Sequence, residues 1–250
     1  MLHAFGVTDK GRVRATNEDC FGIAPDLQLC VVADGMGGHN AGEVASKLVV
    51  DSVLGYFRAG RNGEWPYGYD ASLSEGANHL KTAVQVANAR VVDVARQSPE
   101  WHGMGTTVVA MIVWGRVLAI AHVGDSRAYA LAPSGAEQLT VDDSWTTSML
   151  ARDPSLDPAL LRSHPMRNAL TSVVGSKAQV DVHVSERLLA PGDLFLLTSD
   201  GVHGVLSEEE LAQVCDGTDL ADIAARLVRD ALDHGSRDNC TALIARYEAD

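Results

Sequence analysis

The chain has 250 residues, 46% of them hydrophobic and 21% charged, enough apolar material for one sizeable core and too few charges for a disordered chain. Lys and Arg total 20 against 33 Asp and Glu, a formal charge of -13, so the surface as a whole repels nucleic-acid phosphates and anionic lipid. Cys20, Cys30, Cys215 and Cys240 form no C-x-x-C pair, which disfavours a zinc or thiol centre and fits reduced cysteines in a cytoplasmic protein.

Taken in chain order, residues 1–10 offer no apolar signal core before the charges begin, so no export is expected. Apolar, strand-like runs recur at 27–33, 107–114, 117–123, 128–132, 194–198 and 242–247, each bounded by Gly, Asp or Pro. The longest apolar stretch, 106–123, is broken by Gly115-Arg116 and reads as a hairpin, not a membrane span. Helical spacing appears at 43–57, with Ala45, Val49, Val53 and Phe57 on one face, and at 80–95, with Leu80, Val84 and Val91. Ser207 followed by Glu210 signals a capped short helix, and Leu220, Ala224, Leu227 and Ala231 stripe another that stops near Gly235.

The hairpin demands antiparallel neighbours, and the helices come in blocks instead of alternating with strands, so the expected class is α+β in a single domain over 1–250. Segment 59–70, rich in Gly and aromatics, reads as a surface loop. Segment 142–175, with Pro154, Pro158 and Pro165, reads as a mobile, flap-like insert bordering the active site.

Chemistry concentrates in aspartates at strand ends. Asp34, Asp125 and Asp200 each follow an apolar run, and Asp238 precedes one. Any one of them is an ordinary turn residue. Four at the ends of neighbouring strands would gather carboxylates within a few Å, where a cation must neutralise them. An all-oxygen set, with no His or Cys pair at zinc-like spacing, selects Mg²⁺ or Mn²⁺. His122 lies inside a strand and reads as a core residue, whereas His39, His164 and His203 lie in polar contexts nearer the acidic motifs. The chain has no G-x-S-x-G elbow and no phosphate loop of the G-x-x-x-x-G-K type.

The series Gly11-x-x-Arg14-x-x-Asn17-Glu18-Asp19, Ala33-Asp34-Gly35-Met36-Gly37-Gly38-His39, Gly103-Met104-Gly105-Thr106-Thr107, His122-Val123-Gly124-Asp125-Ser126-Arg127, Ser199-Asp200-Gly201 and Arg237-Asp238-Asn239 resembles the bacterial branch of the protein phosphatase 2C, or PPM, Ser/Thr phosphatases. The resemblance implies a four-layer α-β-β-α sandwich, two central antiparallel sheets flanked by helix pairs. It implies two Mn²⁺ or Mg²⁺ ions, bridged by Asp34, with the Gly35 carbonyl on one and Asp200 and Asp238 on the other. Glu18 and Asp19 would hold metal-bound waters, and Asp125 with Asp200 would form a weaker third site. Two ions about 4 Å apart lower the pKa of a shared water, whose hydroxide attacks phosphorus directly.

Arg14 would clamp the phosphate with its guanidinium fork. Met36 stands where animal-type members carry a His, so the general acid is open between metal-bound water and His39. Ser172 stands where an arginine is usual at the end of the flap, implying altered substrate contacts there. The implied activity is hydrolysis of phosphoserine and phosphothreonine in proteins, opposing a bacterial Ser/Thr kinase. A non-catalytic phosphoprotein-binding module and a phosphatase of small esters are the alternatives.

Overall fold

The structure, a computed structural model, describes residues 1–37, 41–60, 64–162, 164–216 and 219–248. Its strands are β1 (Leu2–Asp9), β2 (Asp19–Ala24), β3 (Leu29–Met36), β4 (Gly105–Thr106), β5 (Val108–Trp114), β6 (Val117–Val123), β7 (Arg127–Ala132), β8 (Gly135–Gln138), β9 (His183–Leu188), β10 (Leu194–Thr198) and β11 (Cys240–Tyr247). Its α-helices are α1 (Ala41–Arg58), α2 (Glu75–Gln97), α3 (Trp145–Arg152), α4 (Pro158–Arg162), α5 (Asp200–His203), α6 (Glu208–Ala212) and α7 (Leu220–Asp233). None of the helices among the described residues is long and apolar enough to cross a membrane.

Two antiparallel sheets form, one in the order β1-β11-β10-β7-β8 and the other β2-β3-β5-β6-β9, with the short β4 paired to the end of β3. The period-two alternation of each interior strand decides the layers. Along β3, Leu29, Val31 and Ala33 face a core shared with Val49 and Val53 of α1 and Leu80, Val84 and Val91 of α2, while Cys30 and Val32 face the other sheet. Along β10, Leu194 and Leu196 meet Leu227 and Val228 of α7 while Phe195 and Leu197 point between the sheets. Both faces of each sheet are thus covered, and the result is the α-β-β-α sandwich that the resemblance implies. All four cysteines are free, and burial pushes the Cys30 thiol up to about 12.

Local signals hold where they are strong. The Ser207–Glu210 capping box forms at the start of α6, and α7 is capped by Asp219, whose side chain accepts from the Ala221 and Asp222 amides. The insert at 142–175 carries two short helices, α3 and α4. Ser144 caps α3 through the Thr147 amide at 3.1 Å, yet α3 buries none of its residues, so no apolar stripe marks it in the sequence. The neck of the insert is stitched: Thr171 N–H donates to Asp143 O at 2.7 Å and Trp145 N–H to Ala169 O at 2.8 Å.

Candidate active site

The aspartates converge because both sheets end on the same side. Asp34 lies near the end of β3 and pairs across the ladder with Asp19, the first residue of β2. Asp200 follows β10 and Asp238 precedes β11, its antiparallel neighbour. Asp125 sits in the turn where the chain crosses from β6 in one sheet to β7 in the other. A cleft of about 410 Å³ opens there, with Arg14, Glu18, Asp34, Asp125, Asp200 and Asp238 in its walls. The structure therefore brings together every expected site residue in the cleft lining, Gly35 included, except Asp19, which is buried next to Ser199 and Thr241 and pairs with Asp34 across the ladder.

Backbone bonds fix this arrangement. Thr107 N–H and the Thr106 hydroxyl both donate to Asp34 O at 2.8 Å, and Asp34 N–H donates to Thr107 Oγ1 at 3.0 Å. Gly35 N–H donates to Glu18 O at 3.1 Å, and a Cβ on Gly35 would stand 2.1 Å from Gly42 O, so only glycine fits where α1 approaches β3. Asn239, 4% exposed, clasps the strap that carries Arg14: its Nδ2 donates to Lys10 O and Thr16 O at 2.8 and 2.9 Å, and its Oδ1 accepts from Glu18 N–H at 2.8 Å. The sequence shows Asn239 only as part of a motif; its clasp joins segments far apart in the chain and leaves no local signal.

The electrostatics are those of crowded acids. Burial first, and then the charges of Asp19, Asp200, Asp125 and Asp238, hold the Asp34 carboxyl well above its ordinary range. Burial, with Asp200 and Asp142 nearby, lifts Asp125 to about 7. Burial lifts Asp19 to about 6 although Ser199 and Thr241 hydroxyls each donate to its Oδ2 at 2.6 Å. Burial also raises Asp200 and Glu18. Asp34 and Asp200 are close enough for the charge of each to bear on the other, and two such carboxylates stay ionised together only beside a cation. Asp200 Oδ1 and Asp19 Oδ1 are buried with no partner.

These observations fit a hard divalent ion. The donors are carboxylates and one carbonyl, and an unsatisfied buried oxygen points into the cluster. Among the described residues no group of three or more His, Cys, Asp or Glu side chains is already arranged to hold a metal ion, so the fit rests on the donor chemistry and the unsatisfied oxygen. Asp238 is drawn aside: Arg14 donates to its Oδ2 at 2.5 Å, and the Asn239 amide donates to its Oδ1 at 2.9 Å. The bond to Asp238 raises the Arg14 guanidinium pKa further.

The histidines divide. His122 is buried, stacks on His183 with centroids 5.0 Å apart and meets Val141 O at 2.9 Å, a core residue as expected. His164 stacks on Trp145. His203 bonds Thr198 Oγ1 at 2.8 Å, and burial holds it well below its usual pKa. His39 lies outside the described residues. A second cleft of about 560 Å³ shares Asp125, Asp200 and Asn168 with the first and is lined by Arg167. The insert therefore does bring a guanidinium to the site's edge, from Arg167 and not from position 172, a placement that its exposed, aperiodic context conceals.

A family model described as protein phosphatase 2C matches residues 11–237. The chain is similar to the serine/threonine protein phosphatase PstP of Mycobacterium tuberculosis, 33% identical over 238 residues, which are 95% of this chain and 43% of that protein. It thus spans less than half the length of that relative. Among solved structures it resembles the serine/threonine phosphatase Stp1 from Staphylococcus aureus, with a TM-score of 0.87, 34% identity and 100% and 96% of the two chains covered. It also resembles the catalytic domain of PstP in complex with 2 manganese ions, with a TM-score of 0.82, 30% identity and 99% of each chain covered.

Proposed function

The chain belongs to the protein phosphatase 2C family, and from that premise we propose that it is a metal-dependent phosphatase of phosphoserine and phosphothreonine in proteins, acting against a Ser/Thr kinase. The observation that carries this reading is the half-buried cluster of Asp34, Asp125 and Asp200, raised in pKa and with one Asp200 oxygen unpartnered, beside the Arg14 guanidinium in one open cleft.

Asp34, the Gly35 carbonyl, Asp200 and Asp238 would hold two Mn²⁺ or Mg²⁺ ions, with Asp125 and Asp200 at a third, weaker position. When bound, the ions supply positive charge to the phosphoryl oxygens and acidify water near neutral pH. Glu18, held by its backbone N–H to Asn239, and Asp19, held by Ser199 and Thr241, would orient water at the metal site with their carboxylates. Arg14 lies half-free over the cleft and exchanges Asp238 for the phosphate dianion, binding two of its oxygens. Met36 supplies no proton at the position after Gly35, so the leaving serine or threonine oxygen would take its proton from water held at the metal site or from His39.

A purely phosphoprotein-binding role is disfavoured because no carboxylate of the set is missing. The test is release of inorganic phosphate from a phosphothreonine peptide and from a nucleotide, with Mn²⁺ present. Turnover of the peptide supports the reading. Turnover of the nucleotide alone assigns small esters instead.

A further inference from the structure

Beside the carboxylate cleft runs a larger groove of about 1020 Å³, and the two share Met36 and Val173 as common wall. Its lining inverts the charge of its neighbour. Arg96, His102 and Lys177 are exposed around an apolar floor that includes Val92 and Met104, and among the described residues no Asp or Glu lines it. In a chain of formal charge -13, a groove with cations and no carboxylate, opening directly onto the catalytic cleft, is a local reversal of field.

The groove is built, not incidental. Asn88 is fully buried in α2; its Oδ1 accepts from Gly175 N–H at 2.8 Å and its Nδ2 donates to Lys177 O at 3.0 Å and Ala178 O at 3.3 Å. Val174 and Thr106 exchange backbone bonds of 3.1 and 2.9 Å. Gly175 takes φ +94°, and a Cβ there would stand 2.5 Å from Val91. The far end of the insert is thereby clamped to α2 and β4, and Lys177 is presented from a fixed backbone to the groove that Arg96 also lines.

We propose that this groove seats the residues flanking the phosphorylated side chain of a protein substrate, and that it selects substrates with acidic residues beside apolar ones. The proposal rests on the phosphatase reading. The shared wall gives continuity with the site that takes the phosphate, the volume exceeds what a small ester fills, and the rim charge complements carboxylates.

The test compares three phosphothreonine peptides, identical except for Glu, Ala or Lys flanking on both sides, each rate normalised to p-nitrophenyl phosphate hydrolysis by the same enzyme with Mn²⁺. The expected kcat/KM ratio of the Glu to the Lys peptide is about tenfold, the size of a few exposed charge pairs acting together. It should shrink at high ionic strength. In the double variant Arg96→Glu/Lys177→Glu, both positions exposed, the ratio should fall to one or invert, with Arg96→Ala/Lys177→Ala in between. A wild-type ratio near one, or a ratio that survives charge reversal, overturns the groove proposal while leaving the phosphatase reading intact. Failure of the wild-type chain to hydrolyse either peptide or aryl phosphate overturns the phosphatase reading, and the proposal with it.

Discussion

The two walls of the carboxylate cleft are held in different ways. On the strand-end wall, the Asp34 backbone is fixed by Thr106 and Thr107, which are essentially inaccessible, and the Arg14 strap is clasped by buried Asn239. On the insert wall, the neck is anchored by the Arg127–Asp142 pair at 2.7 and 2.9 Å, but beyond it α3 buries nothing and Leu160 is 69% exposed. Buried bonds oppose displacement because breaking one strands a desolvated polar group. On this difference we assign, as a proposal, chemistry to the first wall and substrate discrimination to the second, and substitutions on each should separate the two.

The largest effect is expected on the strand-end wall. Asp34→Ala should lower kcat/KM by on the order of 10³-fold or more with Mn²⁺ present, while the metal-free fold keeps or gains thermal stability because one charge leaves a repelling cluster. A retained rate, measured by phosphate release, would contradict the role of Asp34. Arg14→Ala should raise KM about tenfold with a smaller change in kcat, since the clamp contacts the phosphate dianion already in the ground state. Unchanged kinetics would make Arg14 a partner of Asp238 and nothing more.

A stability effect follows from the raised acids. A carboxyl whose folded pKa lies above its unfolded value binds its proton more tightly in the native state, so it lowers stability as pH rises from the unfolded value through the folded one. With Asp19 at about 6 and Asp125 at about 7, the metal-free chain should melt at progressively lower temperature from about pH 4 to pH 7. Mn²⁺ should reverse that trend at neutral pH. A melting temperature that climbs over this window without metal would mean the cluster is not strained by its own charge.

The smallest effect belongs to the insert. Shortening 148–166 between its stitched ends should change the preference among phosphoprotein substrates severalfold and the aryl phosphate rate by less than about twofold. Equal proportional losses on both would give the insert a structural role only and erase the distinction between the walls.

The interior strands were readable from the sequence because sheets covered on both faces demand continuous apolar runs: β3, β5, β6, β7, β10 and β11 all lie at or next to such runs. The edges were not. β1, β2, β8 and β9 are the outer strands of the two sheets, and β9 is largely exposed, so their patterns lack the run. Asp34, Asp200 and Asp238 stood out because they punctuate interior strands, and Arg14 because of its motif. Asn239 and Asn88 act through contacts between segments remote in sequence, and Arg167 reaches a cleft wall from an exposed segment, which no local pattern encodes.

The most direct measurement of the central claim is phosphate release from a phosphothreonine peptide by the wild-type chain in Mn²⁺ and in excess EDTA. The carboxylate cleft requires activity with Mn²⁺, near-complete loss with chelator and recovery when Mn²⁺ is restored. Full turnover in excess EDTA would contradict it.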